Sequence, residues 1–190
     1  MKKNDVERTI TLTGITPIMF DRYAGDNKTA LRTDQKLYLD RQNQIVLPAI
    51  NIMSLLSAQN TPSAPKRFLD SREYKKVALA ILSYTSIAPQ EIPFIREEKP
   101  IVFDEFGTDE VDKSSGCWIH YSVARLEKGI PNPKVRPVLP LPWRLKFTLS
   151  YFANDDVSEE QIQNLLIKSG RAIGLGTFRG VFGKFSVDWR

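Results

Sequence analysis

From Trp143 to Trp189 the chain spells a strand, a capped helix, a glycine-rich turn and a second strand, and this order limits the folds open to it. Trp143 to Phe152 alternates strictly, with Leu145, Phe147, Leu149 and Tyr151 on one face and Arg144, Lys146, Thr148 and Ser150 on the other. That is the period of a half-buried strand. Ser158 with Gln161 three residues later is a helix N-terminal signature. Ile162, Leu165 and Leu166 follow as a buried stripe, Lys168 falls in the last turn, and Gly170 is placed to end the helix. The closing strand, Val181 to Trp189, sets Phe185, Val187 and Trp189 on one face. A strand, a packed helix and a returning strand need a sheet with helices on one side.

The rest of the chain supplies such a sheet. Arg8 to Thr13 alternates as a first strand with Ile10 and Leu12 inward. Gln44 to Pro48 is a short extended piece, and Ala49 to Ser57 has the dense apolar content of a buried helix. Asp70 and Glu73 have capping-box spacing before a helix with Tyr74, Val77, Ala78 and Ile81 on one face. Ile92 to Phe103 reads as two short strands around Glu97-Glu98-Lys99-Pro100, and Cys117 to Leu126 as a further strand. Excursions interrupt this order at about 21–42, 104–116 and 127–141. The second holds the acids Asp104, Glu105, Asp109, Glu110 and Asp112. The third holds the basic, proline-stiffened stretch Lys128 to Pro137. The expectation is a single α+β domain over 1–190. Its core is a ferredoxin-like, RNA-recognition-motif-like antiparallel sheet with helices on one face, inserted arms and a C-terminal glycine-rich loop.

The glycine-rich loop carries the chemistry. Gly170, Gly174, Gly176, Gly180 and Gly183 alternate with Arg171, Arg179 and Lys184. Glycine permits backbone angles closed to other residues and lets a ligand approach the main chain. Cations beside exposed amides form a concavity for phosphate. The spacing excludes the mononucleotide loop, because the glycine required five residues before Gly183-Lys184 is Phe178, and Phe185 follows the lysine. It also excludes the dinucleotide fingerprint, whose third glycine falls on Arg179. A helix precedes these glycines and a strand follows, the reverse of a dinucleotide loop, so a polymeric phosphate backbone fits better. A plain helix-to-strand turn is the other reading of the same glycines.

Lysine and arginine outnumber aspartate and glutamate by 27 to 22, a balance compatible with a nucleic-acid partner. Lys66, Arg67, Arg22 and the Arg125, Lys128, Lys134 and Arg136 arm are placed to extend a phosphate track, with Tyr23 and Tyr38 as stacking surfaces. Phe178, Phe182, Phe185 and Trp189 read as core. The single cysteine, Cys117, and the single histidine, His120, cannot together build a zinc site, so no metal or other cofactor is expected. One cysteine also points to a reducing, cytoplasmic setting. No apolar run reaches membrane-spanning length, so no membrane partner is expected.

Three stretches resemble the RAMP superfamily of CRISPR-associated proteins, most closely the backbone subunits that line guide RNA in multisubunit effectors. They are the loop Ile173 to Val187, the strand and helix from Trp143 to Leu166, and the front segment Gln44 to Leu56. In the last, Pro48 is followed by Ala49 and Ile50, without the glycine and lysine of the family's Pro-Gly-Ser-Ser-Leu-Lys-Gly-like turn. The resemblance implies a subunit that binds single-stranded, guide-like RNA beside other effector subunits or copies of itself. It places RNA contacts on Arg171, Gly174, Gly176, Arg179, Gly180, Gly183 and Lys184. Some relatives cleave RNA, through a histidine or through an aspartate after the first strand; Asp21 and Asp26 fall in the comparable region, and Asp26 and His120 are the candidates here. A phage or mobile-element assembly module that kept the fold without RNA is the third reading.

Overall fold

A computed structural model describes residues 5–26, 28–59, 62–107, 116–125 and 131–190. In chain order the strands are β1 (Val6–Gly14), β2 (Ile18–Met19), β3 (Val46–Pro48), β4 (Thr85–Ala88), β5 (Glu91–Arg96), β6 (Lys99–Pro100), β7 (Trp118–Arg125), β8 (Pro131–Leu139), β9 (Arg144–Tyr151) and β10 (Phe185–Trp189). Helices α1 (Ala49–Ser57), α2 (Ala64–Phe68) and α3 (Tyr74–Tyr84) lie between β3 and β4, and α4 (Glu159–Ala172) lies between β9 and β10.

β1 is flanked by β10 and β9, both antiparallel, and β9 pairs on its far side with β4 and β5. β4 and β5 are one strand interrupted at Pro89 and Gln90. With that strand counted once, the order is the four-strand β-α-β-β-α-β arrangement of a ferredoxin-like, RNA-recognition-motif-like fold. β3 and β6 extend the sheet beside β5.

The alternation seen in the sequence sets the register. Ile10, Leu12, Leu145, Phe147, Leu149 and Phe185 are buried beneath Ile52, Leu55, Leu56, Val77, Ile81, Ile162, Leu165 and Leu166 of the helices. Each large side chain removed from water stabilises the fold by roughly 1.5–3 kcal/mol. On the opposite face Thr11 sits between Lys146 and Asp188, and Thr13 between Arg144 and Ser186. That face is polar, and Arg144 makes an ion pair with Glu98 across it. Glu97 and Glu98 both have positive φ, as a two-residue hairpin turn of this twist requires.

Ser158 caps α4 as its spacing predicts, its Oγ accepting the Gln161 amide at 3.1 Å. Glu159, in the first turn, accepts from Arg8 Nε at 2.6 Å and from Trp189 Nε1 at 3.1 Å, joining the helix start to β1 and β10. Partial burial pushes its carboxyl up, but the Arg8 and Trp189 hydrogen bonds and the Arg8 charge outweigh burial and hold it below the ordinary glutamate range.

Three local expectations are corrected. Asp70 and Glu73 form no capping box: the Asp70 carboxylate accepts the Arg72 amide at 2.7 Å, a turn follows, and α3 begins at Tyr74. Gly170 does not end α4. It lies inside the last turns, where a Cβ would sit 2.4 Å from the Phe185 carbonyl oxygen, so it serves the close approach of helix to β10. The residue that ends the helix is Gly174, at φ +83°, whose amide donates to the Ser169 carbonyl at 2.9 Å. The last strand begins at Phe185 rather than Val181, because residues 181–184 belong to the loop.

The excursions differ from one another. Among its described residues, the 21–42 excursion contains only a short 3-10 turn at Asp34–Lys36 and an isolated bridge from Leu39 to Ile45. The acids Asp109, Glu110 and Asp112 of the second excursion, and Lys128 of the third, lie outside the described residues. The third is mostly strand: β8 pairs with β7 from Pro131 to Val138 and with β2 at Ile18 and Met19, forming a separate three-stranded sheet. Pro131, Pro133 and Pro137 fit in this strand because they occupy alternate positions. The Val135 and Pro137 carbonyls point away from β7, accepting from Lys36 Nζ at 2.6 Å and the Phe20 amide at 2.9 Å. Prolines of the same parity therefore have their missing donors on that outer edge and remove no bond to β7.

Candidate nucleic-acid interface

The glycine loop runs from the end of α4 to the start of β10 and is fastened along its base. The Leu175 amide donates to the Gly183 carbonyl, Thr177 to Met19, Gly180 to Ile173, and Gly183 to Pro17, at 2.8–2.9 Å. The Lys184 amide donates to Thr16 Oγ1 at 2.9 Å. Gly183 shows why glycine is needed: φ is +74°, and a Cβ would lie 1.9 Å from the Leu175 carbonyl oxygen. The loop crosses itself there and meets β2 through Gly176, whose Cβ would lie 2.4 Å from the Met19 carbonyl. Gly180, at φ +94°, has open space around it. The glycines thus divide into Gly174, Gly176 and Gly183, which let backbones cross closely, and Gly180 at an exposed turn.

Most loop amides are therefore satisfied internally. Those of Gly176, Phe178, Arg179 and Val181 donate to no described residue, and all four residues except the glycine carry exposed side chains at the tip. What the loop offers a partner is this tip together with its cations.

One hydrogen bond links Arg179 to the segment that leads into the cations of α2, and Arg171 and Lys184 flank the loop in the chain. Arg179 is exposed, and its Nη1 donates to the Pro62 carbonyl at 3.3 Å. Pro62 lies two residues before α2, which carries the exposed Lys66 and Arg67 in its last turn. Lys66 Nζ donates to the Gln59 carbonyl at 3.2 Å. Arg171 is exposed on the last turn of α4, two residues before Ile173, whose carbonyl takes the Gly180 amide. Lys184 is half-buried at the loop's far end. Among the described residues no carboxylate pairs with Arg171, Arg179, Lys184, Lys66 or Arg67.

Arg22, Lys134 and Arg136 sit elsewhere, where the 21–36 segment runs along β8. Arg136 Nε donates to Asp21 at 2.7 Å with its side chain only 15% exposed, and Lys36 Nζ lies 3.7 Å from the same carboxylate. The Arg22 guanidinium sits over the Tyr38 ring, 5.9 Å from its centroid, so Tyr38 already has a cation on it. Lys134 lines a cavity of about 390 Å³ with Asp21, Arg22, Tyr23, Asp26 and Lys36.

The two cleavage candidates are in unlike surroundings. Asp26 closes a turn, its carboxylate accepting the Lys28 and Thr29 amides at 2.6 Å and the Thr29 hydroxyl at 2.8 Å. The Thr29 amide, the Thr29 hydroxyl and the Lys28 amide hold it below the ordinary aspartate range. His120 stands opposite Arg136 in the β7–β8 pair, and its ring lies 5.7 Å from Trp118 and 5.6 Å from Phe182. No hydrogen bond links Asp26 to His120. Among the described residues no cluster of histidine, cysteine and carboxylate side chains is arranged to hold a metal ion.

Phe178 departs from the core role its sequence suggests. Its side chain is 55% exposed, and its φ is +52°. A bulky aromatic in the left-handed region costs about 1–2 kcal/mol relative to glycine. One side of the ring meets Phe182 at 6.0 Å, and Phe182 meets His120, giving a ladder from buried Trp118 out to the loop tip. The sequence signal for this was present, because Phe178 lies between glycines at a turn rather than in an alternating run. The open face of the main sheet, where RNA-recognition motifs stack bases on aromatic rings, presents Thr9, Thr11, Thr13, Lys146, Thr148 and Ser150 instead.

No protein-family model matches this chain, and no curated protein matches it. Among solved structures it is similar to a chain in the cryo-EM structure of the Type III-B Cmr-beta bound to cognate target RNA, with a TM-score of 0.56 and 11% sequence identity. The likeness covers 98% of this chain and 59% of that one, so this chain spans less than two thirds of its neighbour's length. At that identity what the two share is the fold. No helix among the described residues is long and apolar enough to cross a membrane.

Proposed function

We propose that this protein holds the phosphate backbone of single-stranded RNA, guide-like in character, as a subunit of a CRISPR-type ribonucleoprotein effector. It would act beside other effector subunits or further copies of itself. The observation that carries this reading is the loop tip from Gly176 to Val181. It is exposed, and among the described residues no carboxylate pairs with Arg179, Lys66, Arg67 or Arg171. Phosphate contacts of this kind supply affinity without sequence preference and release counterions, which makes binding salt-dependent. The fold shared with a chain of an RNA-bound Cmr-beta structure supports the same reading. Gly174 and Gly183 set the loop's path, Gly176 and Gly180 bring backbone to the surface, and Lys184 extends the track toward β10. Arg22 and Lys134 form a second contact, and Arg136 joins it only by leaving Asp21.

The test is fluorescence anisotropy with a labelled single-stranded RNA of about 30 nucleotides across a salt series. The logarithm of affinity should fall linearly with the logarithm of salt. The triple variant R171E/R179E/K184E should lose at least about 100-fold in affinity at low salt, each reversal replacing an attraction with a repulsion. Salt-independent binding, or a triple variant that binds like the wild type, rejects the reading.

A further inference from the structure

We propose that Phe178 is a base-stacking residue, its exposed ring taking one nucleobase of single-stranded RNA at the tip of the glycine loop. This rests on the RNA-binding reading above and adds to it a contact with the base.

The fold has no need of a phenyl ring at this position. The backbone is left-handed there, a conformation that glycine adopts freely and an aromatic residue does not. The ring gains little burial in return, since 55% of the residue remains exposed. A strained backbone that holds an apolar side chain in water is a feature to be explained by what the side chain meets. Its inner side is already backed. Phe182 lies 6.0 Å away at an interplanar angle of 33°, and behind it His120 and Trp118 continue the ladder into a buried cluster with Met19 and Val138. The ring therefore has packed aromatics beside it, and more than half of the residue stays in solvent. Arg179 follows directly in the chain, exposed and with no carboxylate partner among the described residues, so a base on the ring would bring its phosphates to cationic groups. An unpaired base meets these requirements, because every base offers a π-face to an aromatic ring beside a charged backbone track. A base-paired strand does not, because its bases are stacked on one another.

The experiment compares an oligouridylate of about 20 nucleotides with an abasic ribose-phosphate oligomer of equal length, using the full chain and its Phe178→Gly and Phe178→Trp variants. Wild type should prefer the base-bearing oligomer. Phe178→Gly should lose about 5- to 100-fold on oligouridylate, the range for one stacked base, and less than about 2-fold on the abasic oligomer. Its melting temperature should be unchanged or higher, since glycine relieves the left-handed residue. Phe178→Trp should keep wild-type affinity and add a tryptophan signal that is quenched on binding. Equal losses on both oligomers would overturn the proposal, the ring then acting on the loop's shape. Wild-type affinity in Phe178→Gly would overturn it while leaving the RNA-binding reading standing. Wild type that binds neither oligomer would remove both.

Discussion

Two cationic regions of this protein look alike as sequence and differ in electrostatic state. Around the glycine loop, Arg171, Arg179, Lys66 and Arg67 are exposed, and their only described partners are carbonyls. Along β8, Arg136 and Lys36 converge on Asp21, and Arg22 lies over Tyr38. A positive charge that is already neutralised holds a segment in place. One without a carboxylate attracts a polyanion, because incoming phosphate displaces only water and counterions. Residue type therefore says little about which cations serve binding, and the placement of Asp21 says much.

The largest effect is expected from reversing the cations at the loop and α2 together. R179E/K66E/R67E should lower RNA affinity more than about 100-fold and flatten the salt dependence by about 2 in slope, as removing three phosphate contacts requires. Its melting temperature should stay near that of wild type. A loss from reversing Arg22 and Lys134 larger than the loss from reversing the loop and α2 cations would invert the comparison.

Gly183→Ala tests whether the loop's path depends on backbone crossing. The left-handed φ and the 1.9 Å approach to Leu175 together should cost about 3 kcal/mol or more. Gly180→Ala, with a similar φ and open space, should cost about 1 kcal/mol. Chemical denaturation of the two variants reads the difference directly, and equal values would contradict the crossing.

On the β8 side the order of effects reverses. Arg136→Ala should cost about 1–2 kcal/mol of stability, between the values for an exposed and a buried ion pair, and change RNA affinity less than about 3-fold. Asp21→Asn releases Arg136 and Lys36 and should raise affinity a few-fold, with a salt slope steeper by about 1. An Asp21→Asn variant with unchanged affinity would show that these two cations do not face the RNA path even when free.

The smallest effect concerns the helix that carries the loop. Glu159 is held below the ordinary glutamate range, so its contribution is present above the unfolded-state value of about 4.3 and is lost as pH falls through the folded-state value. Thermal denaturation of wild type from pH 7 to pH 3 should therefore show a decline that is shallower in Glu159→Gln. Parallel curves would mean that Arg8 and Trp189 do not hold the carboxylate in solution.

The main sheet was legible because its strands bury one face and wet the other. Leu145, Phe147, Leu149 and Tyr151 alternate with polar residues, and the Ser158 cap is local chemistry that needs no tertiary partner. The parts that were not legible depend on distant contacts. Gly170 resembles a helix stop until Phe185 is seen against it, and Asp70 cannot be told from a cap before α3's start is known. The proline-rich stretch Pro131 to Pro137 reads as an arm because proline opposes strand structure. Its period of two puts every missing donor on one edge, and only the position of Lys36 and Phe20 shows which edge that is. In the candidate interface the spacing of Arg179 and the glycines was visible. The internal bonding of the loop amides, the Asp21 ion pairs and the exposure of Phe178 were not, since each depends on segments far apart in the chain.

Cross-linking of a 4-thiouridine-substituted single-stranded RNA to the full chain, with the attached peptides identified by mass spectrometry, tests the central claim most directly. Cross-links should concentrate between Gly176 and Val181 and around Lys66 and Arg67. Cross-links confined to the open sheet face around Thr11 and Lys146, or to the segment beside Asp21, would contradict it.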